Sequence, residues 1–569
     1  MYTNTRFTQT ETRFFGKNPV SRTRLTLTVL VAVAVLIAGC APKAPTLEMV
    51  EATRTVEVEE EAIAVEEMAF LAPAPTAAPA SADGPYPSTG GLVPPNDQPY
   101  ADVFFEEYGV NPFIDTEDDH LSTFAVDVDT ASYTVMRRYV GDGYLPPDES
   151  VRVEEYVNYF EQDYEPPHGI EGEGALRPGS GQAFAIHLEG APSLYGGERY
   201  YLVRTGLQGY EIPPEARKDV VLTFVIDVSG SMDYENRLEL AKDALWLLVE
   251  ELRPTDQVGI VVYGSRAHVV LEHTPVENSR RILRAIDRLQ PEGSTNAEQG
   301  LVMGYRLAAE AFDPEAINRV ILCSDGVANV GNTGPDSILE QIHDYAERSI
   351  YLTTVGFGMG NYNDVLMEQL ADNGDGFYAY VDTLKEAERV FVHDLTSTLQ
   401  VIARDAKVQV DFNPAVVSRY RLIGYENRDM ADEDFRNDEV DAGEIGVGHS
   451  VTALYEIKFH PEVPESEAAM TVYVRYEDPD TGEVNEIPRS IARADFAPAF
   501  KEASIRFQLD AVVAEYAEIL RESYWARDSS LEDVAWEARR IAEYLPHDPD
   551  VVEFVSLVER ASRISQNEQ

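Results

Sequence analysis

Three short stretches of the chain carry oxygen-bearing side chains in an arrangement suited to a divalent cation: Asp227-Val228-Ser229-Gly230-Ser231, Gly293-Ser294-Thr295-Asn296 and Ser324-Asp325-Gly326. A hard cation such as Mg2+ takes near-octahedral oxygen coordination and keeps some of its waters, and two carboxylates with three hydroxyls can supply that sphere. Asp227 and Asp325 bring charge, while Ser229, Ser231 and Thr295 bring neutral oxygens. Mn2+ and Ca2+ are the other ions such donors admit. Only two formal negative charges would face the ion, which leaves it electrophilic, so an open coordination position would favour a carboxylate from another molecule. Each fragment alone has an ordinary explanation, because Asp or Ser after a strand caps the next helix and Asp-Gly is a common turn. Three such fragments in this order are much harder to assign to coincidence.

The elements around them have a clear pattern. Between Asp219 and about Thr398, apolar β runs (Val220 to Ile226, Val258 to Tyr263, Val320 to Cys323, Ile350 to Phe357, Gly376 to Val381) alternate with helical periods (Arg237 to Leu252, Arg280 to Leu289, Glu298 to Phe312, Ser337 to Arg348, Asn363 to Ala371). That alternation predicts a mostly parallel sheet wrapped by helices. In open sheets of this kind ligands bind beyond the carboxyl ends of the strands. Asp227 directly follows one β run, the Ser324-Asp325-Gly326 fragment directly follows another, and the Gly293-to-Asn296 fragment lies just before a helix.

The Asp-x-Ser-x-Ser, Thr and Asp arrangement on such a sheet resembles the von Willebrand factor type A domain and its metal-ion-dependent adhesion site. The resemblance covers about Asp219 to Thr398, and Asp227, Ser229, Ser231, Thr295 and Asp325 match its five motif positions. It implies a doubly wound α/β fold, Mg2+ or a similar ion held by these residues, and adhesion rather than catalysis. The flanks are similar to the regions bracketing this domain in a family of bacterial lipoproteins: Ser122-Thr123-Phe124-Ala125-Val126-Asp127-Val128-Asp129-Thr130 with Ala131-Ser132-Tyr133 on one side, Gly443-Glu444-Ile445-Gly446 and His449-Ser450-Val451-Thr452-Ala453-Leu454-Tyr455 on the other.

Rival chemistries have less to stand on. Asp127-Val128-Asp129-Thr130 has the spacing of an aspartyl-phosphate phosphatase, but Asp and Thr beside a helical stretch also fit a helix cap, and Ala131 breaks the phosphatase pattern. Two residues beyond Asp227 stands Ser229, which cannot act as an acid at neutral pH. The ten histidines make no His-Glu-x-x-His spacing, and His268 and His273 read as ordinary strand and loop residues. Neither a Gly-x-Ser-x-Gly nucleophile motif nor a Gly-x-x-x-x-Gly-Lys phosphate loop is present.

The chain has 569 residues, enough for two or three packed units. Arg6, Arg13, Lys17, Arg22 and Arg24 precede an apolar run from Leu25 to Ala38 that is short for a membrane span and ends at Gly39-Cys40. This resembles a bacterial lipoprotein signal, which implies lipidation of Cys40 and tethering to a membrane outside the cytoplasm; an uncleaved amino-terminal anchor is the alternative. The remaining cysteine, Cys323, lies in an apolar run and is expected to behave as a small buried hydrophobe. Loss of the first forty residues, five basic and one acidic, would change 46 basic and 100 acidic residues to 41 and 99, moving the formal charge from −54 to −58. Nucleic acid is therefore excluded as a natural partner.

These readings divide the chain into a signal (1–40), an acidic and Ala/Pro-rich disordered stalk (41–100), an amino-terminal flank of helices and strands (101–217), the von Willebrand factor A domain (218–398), a β-sandwich-like region (399–495) and a helical tail (496–569). Strands before the central domain, around Phe184 to Leu188 and Tyr200 to Leu207, require partners, and the β-rich runs after it (Val408 to Phe412, Tyr420 to Tyr425, Val451 to Phe459, Met470 to Tyr476) are the expected ones. The expected function is cation-dependent binding of an envelope or extracellular protein through a carboxylate, with no catalysis. An envelope scaffold and a metal-dependent hydrolase are the alternatives.

Overall fold

The computed structural model describes residues 105–126, 128–167, 183–212, 216–326, 335–358, 363–394, 400–438 and 440–568. The signal, Cys40, the stalk and Asp127 lie outside these residues. Ahead of the central domain stand strands β1 (Ile114–Asp115) and β2 (Leu121–Ala125), helices α1 (Ala131–Asp142) and α2 (Val153–Asn158), and strands β3 (Phe184–Pro192) and β4 (Tyr200–Gly209). The central domain comprises β5 (Val220–Asp227), α3 (Arg237–Glu251), β6 (Gln257–Tyr263), β7 (His268–Pro275), α4 (Ser279–Asp287), α5 (Ala297–Glu310), β8 (Ile317–Ser324), α6 (Pro335–Ala346), β9 (Ile350–Phe357), α7 (Asp364–Asp372), β10 (Tyr378–Val381) and α8 (Leu384–Glu388). After it come β11 (Val401–Phe412), β12 (Val417–Ile423), β13 (Gly443–Gly446), β14 (Ser450–Phe459), β15 (Ala468–Glu477) and β16 (Val484–Ala492). Helices α9 (Ile505–Leu520), α10 (Leu531–Ala542) and α11 (Pro549–Glu568) complete the chain.

The central sheet runs β10-β9-β8-β5-β6-β7, with β7 antiparallel to β6 and every other pair parallel. Strands β5, β8 and β9 are buried along their full lengths, which is why they read as nearly continuous apolar runs rather than alternating ones. On one face Leu222, Phe224 and Ile226 pack with Leu238, Leu245 and Leu248 of α3 and with Ile282 and Ile286 of α4. On the other face Val225 and Tyr263 pack with Leu301 and Tyr305 of α5 and with Leu366 and Leu370 of α7. This is the doubly wound fold expected from the sequence. His268 and His273 both fall on the edge strand β7, so neither is a loop residue; burial lowers the pKa of His273 to about 4.

Segments from both sides of the central domain interleave in a β-sandwich. One sheet has the order β1-β12-β14-β4-β3 and the other β13-β11-β15-β16, with β2 added beside β11. Strand β4 pairs antiparallel with β14, matching Leu454 to Arg204 and Tyr455 to Val203 across the inserted domain. Phe124, Val203, Val410, Phe412, Tyr420, Tyr455, Val472 and Val474 fill the space between the two sheets. Beneath the sandwich, Tyr133 and Met136 of α1, Tyr156 of α2, and Val512, Tyr516 and Phe554 of the tail helices form a separate helical core.

Helix α1 joins this bundle to the central domain. Its Ala131, Val135 and Tyr139 enter the apolar cluster that covers one face of the central sheet. Its buried Arg137 donates to Asp382 at 2.9 Å through Nε and to Glu386 at 2.8 Å. The capping expected of Asp129-Thr130 takes a different form. Thr130 makes no side-chain cap, the Ser132 N–H donates instead to Glu155 at 2.7 Å, and Asp129 accepts the Tyr378 N–H at 2.8 Å. Glu155 lies close enough to satisfy the helix terminus, which leaves Asp129 to bridge to the sheet.

Candidate metal centre

The fully buried strand β5 ends at Asp227, and the chain turns sharply so that Ser229 and Ser231 come back towards it. The Ser229 N–H donates to Asp227 Oδ1 at 2.7 Å. The hydroxyls of Ser229 and Ser231 lie 2.9 Å apart, and Ser231 donates to Asp325 Oδ1 at 3.1 Å. Because the Ser231 proton is committed to Asp325, the proton between the two serines belongs to Ser229. Asp325 follows β8, the parallel neighbour of β5, so sheet pairing sets the two acidic strand ends side by side. Asp227 is 0% and Asp325 5% exposed.

The structure therefore joins Asp227, Ser229, Ser231 and Asp325 in one hydrogen-bonded constellation. Thr295 is half-buried in the neighbouring loop, and among the described residues its side chain makes no hydrogen bond to the other four. That loop is nevertheless fastened to the site, since the Gly230 N–H donates to the Gly293 carbonyl at 3.0 Å and the Glu292 N–H donates to the Val228 carbonyl. Asn296 then caps α5 by accepting the Gln299 N–H at 3.1 Å.

Two participants were not singled out from the sequence. Ser324 donates to Asp227 Oδ2 at 3.1 Å, and Arg237, at the first turn of α3, donates to Asp325 Oδ2 at 2.9 Å. Ser324 stood in the quoted fragment beside Asp325, but Arg237 is separated from the Asp-x-Ser-x-Ser run by a loop whose course the sequence does not reveal. Together these donors provide one partner for every oxygen of both carboxylates.

Burial and the neighbouring Asp325 push Asp227 up to about 7. Burial likewise raises Asp325, with Arg237 and Ser231 opposing it. Two buried carboxylates at adjacent strand ends, with one guanidinium on Asp325 alone, are short of positive charge at neutral pH. Asp227, Ser229, Ser231 and Asp325 offer hard oxygens, of the kind that Mg2+, Mn2+ or Ca2+ takes, so these residues fit such an ion. Cys323, one residue before Ser324, is fully buried, and burial raises its thiol pKa, consistent with a packing role.

The central fold is that of the von Willebrand factor type A class. Residues 222–395 match the von Willebrand factor type A domain family and residues 100–203 match the family described as von Willebrand factor. Residues 397–564 match the family described as Uncharacterized protein YfbK, C-terminal. The Escherichia coli protein of that name is 34% identical over 485 residues, covering 82% of this chain and 82% of its own. The chain belongs to the YfbK family. Human inter-alpha-trypsin inhibitor heavy chain H3 is 30% identical over 165 residues, 27% of this chain and 18% of that one. Among solved structures, a von Willebrand factor type A protein from Catenulispora acidiphila aligns over 67% of this chain and 91% of its own, at 16% identity and a TM-score of 0.41.

Proposed function

We propose that this chain is a divalent-cation-dependent recognition module that grips an acidic group on a protein partner and is held at the cell envelope by a lipid on Cys40. The observation that carries the reading is the meeting of Asp227, Ser229, Ser231 and Asp325 at adjacent strand ends, buried and short of positive charge. A divalent cation held there would supply an electrophilic position for a partner's carboxylate oxygen. Asp227 and Asp325 contribute the charge that retains the ion. Ser229 and Ser231 contribute neutral oxygens, so the ion's charge is not fully quenched. Thr295, on the adjoining loop, is the fifth donor under this reading. No catalytic step is required of any residue.

Calorimetric titration of the full chain with MgCl2 or MnCl2 tests the metal. Uptake is expected in the natural sequence and should be lost in Asp227→Ala; silent titrations of the natural sequence with both cations refute the reading. Pull-down from envelope extract with and without chelator tests the partner, and a partner retained equally under both conditions argues for a metal-independent scaffold instead. Incorporation of labelled palmitate that persists in Cys40→Ala would contradict the anchor.

A further inference from the structure

Arg237 is an unusual neighbour for a cation site. Its guanidinium is buried and contacts Asp325 Oδ2 at 2.9 Å, so it already occupies one face of a carboxylate that a divalent ion would need. A second carboxylate, Glu235, lies 3.9 Å from its NH2 group and is 47% exposed. Glu235 is in turn held at 3.0 Å by Arg138 of α1, outside the central domain. The four side chains form a line from the site to the flank: Asp325, Arg237, Glu235, Arg138.

The hydrogen bonding of the guanidinium is incomplete. Among the described residues its Nε has no hydrogen-bond partner, although the side chain is more than nine-tenths buried. Room for it is kept by Gly358, just beyond β9, where an added Cβ would lie 2.2 Å from that Nε. The backbone joining the serine loop to α3 is also strained: Glu235 and Asn236 take consecutive left-handed conformations, at φ 52° and 60°, without being glycine. Strain of this kind concentrates in segments that have a second arrangement available.

Resting on the proposed cation site, we infer that Arg237 is a resident counter-charge which must leave Asp325 for the site to fill, and that Glu235 receives it. Arg237 thereby sets the cation affinity low. Its transfer to Glu235 brings a second guanidinium against the Glu235–Arg138 pair, so filling of the site is felt at helix α1. Removing the resident charge frees Asp325 for the ion. Removing the receiving carboxylate leaves the displaced guanidinium without a partner. The two changes should therefore act in opposite directions, and the second should matter only while Arg237 is present.

The test is calorimetric titration of MgCl2 into the full chain at pH 7.5, with folding of each variant checked by circular dichroism. Arg237→Gln should bind Mg2+ at least about tenfold more tightly than the natural sequence, a floor well below the roughly thousandfold that one unit charge about 4 Å away gives at an effective dielectric of about 20. Glu235→Gln should weaken binding about twofold to fivefold in the natural background, as a half-exposed ion pair is withdrawn, and leave the affinity of Arg237→Gln unchanged. Arg237→Lys, which retains the charge, should stay near the natural affinity. Equal or weaker Mg2+ binding by Arg237→Gln overturns the inference while leaving the metal site standing. If Arg237→Gln does not fold, an unchanged affinity in Glu235→Gln overturns it instead. Absence of Mg2+ and Mn2+ uptake in the natural sequence and in all variants overturns the metal site and the inference together.

Discussion

The contact between the central domain and the β-sandwich contains a charge conflict that pH should expose. Asp375 lies in the turn before β10, Asp441 in the loop before β13 and Glu444 on β13, and their carboxylate oxygens approach within 4.8 Å of one another. Burial and the neighbouring Asp441 push Asp375 up to about 7, while burial and Asp405 push Asp441 up to about 6. Burial and Asp375 also raise Glu444. His343, Arg404 and Arg319 face this group and offset only part of the repulsion. Each carboxyl is harder to ionise in the folded protein than in the unfolded chain. Its contribution is therefore fully present below about pH 4 and is lost as pH rises through 6 to 7. A carboxyl held at about 7 rather than 3.8 corresponds to at most about 4 kcal/mol at about 1.4 kcal/mol per pH unit. Asp375 is only half-buried and shares its repulsion with the exposed Asp441, so solvent screening reduces this to about 2 kcal/mol. Asp441→Asn should raise the thermal midpoint by about 2–4 °C at pH 8 in EDTA and by almost nothing at pH 4.5. Differential scanning fluorimetry of both proteins across pH 4.5 to 8.5 isolates the cluster, because other titrating groups cancel in the difference. A difference that is flat with pH, or a variant less stable at pH 8, would refute the reasoning.

Arg137→Ala would leave Asp382 buried without its counter-charge and Glu386 with only Arg389 at 3.9 Å, at a cost of about 3–5 kcal/mol, and limited proteolysis should show earlier cleavage between α1 and the central domain. Gly376→Ala would place a Cβ 1.6 Å from the Leu352 carbonyl oxygen, so the turn into β10 must shift; a loss of about 1–3 kcal/mol should appear as a lowered urea midpoint. Cys323 should react with a thiol reagent only after denaturation, because its side chain is fully buried in β8; rapid labelling of the native protein would contradict that packing. Thr295→Ala should weaken Mg2+ binding less than Asp325→Ala in the same calorimetric titration, since Thr295 brings a neutral oxygen from a less buried loop.

The legible parts of this molecule are those whose signals are short in sequence. Strand β5 and the Asp227-to-Ser231 loop form one uninterrupted segment, and burial on both faces leaves the strand apolar throughout, so element and donors are read together. The sandwich needed a longer inference. Val203 and Tyr455 pair although they stand 252 positions apart in the chain, and only the presence of orphan strands on both sides of the central domain pointed to it. Arg237 was hidden for a different reason: as the first residue of an amphipathic helix it has the appearance of an ordinary solvated charge. Two left-handed residues before α3 turn its side chain back to Asp325, and nothing in the types Glu235 and Asn236 announces that conformation. The same difficulty applies to Asp375, Asp441 and Glu444, which come from two separate segments and acquire their mutual repulsion only when the sandwich closes on the central domain. An acidic chain can place many carboxylates in water at little cost. The ones that matter for its behaviour are those the fold withdraws from water, and withdrawal is decided by contacts between segments rather than by residue type. It follows that the site's donor types were readable in advance, whereas its charge balance is a property of the assembled fold.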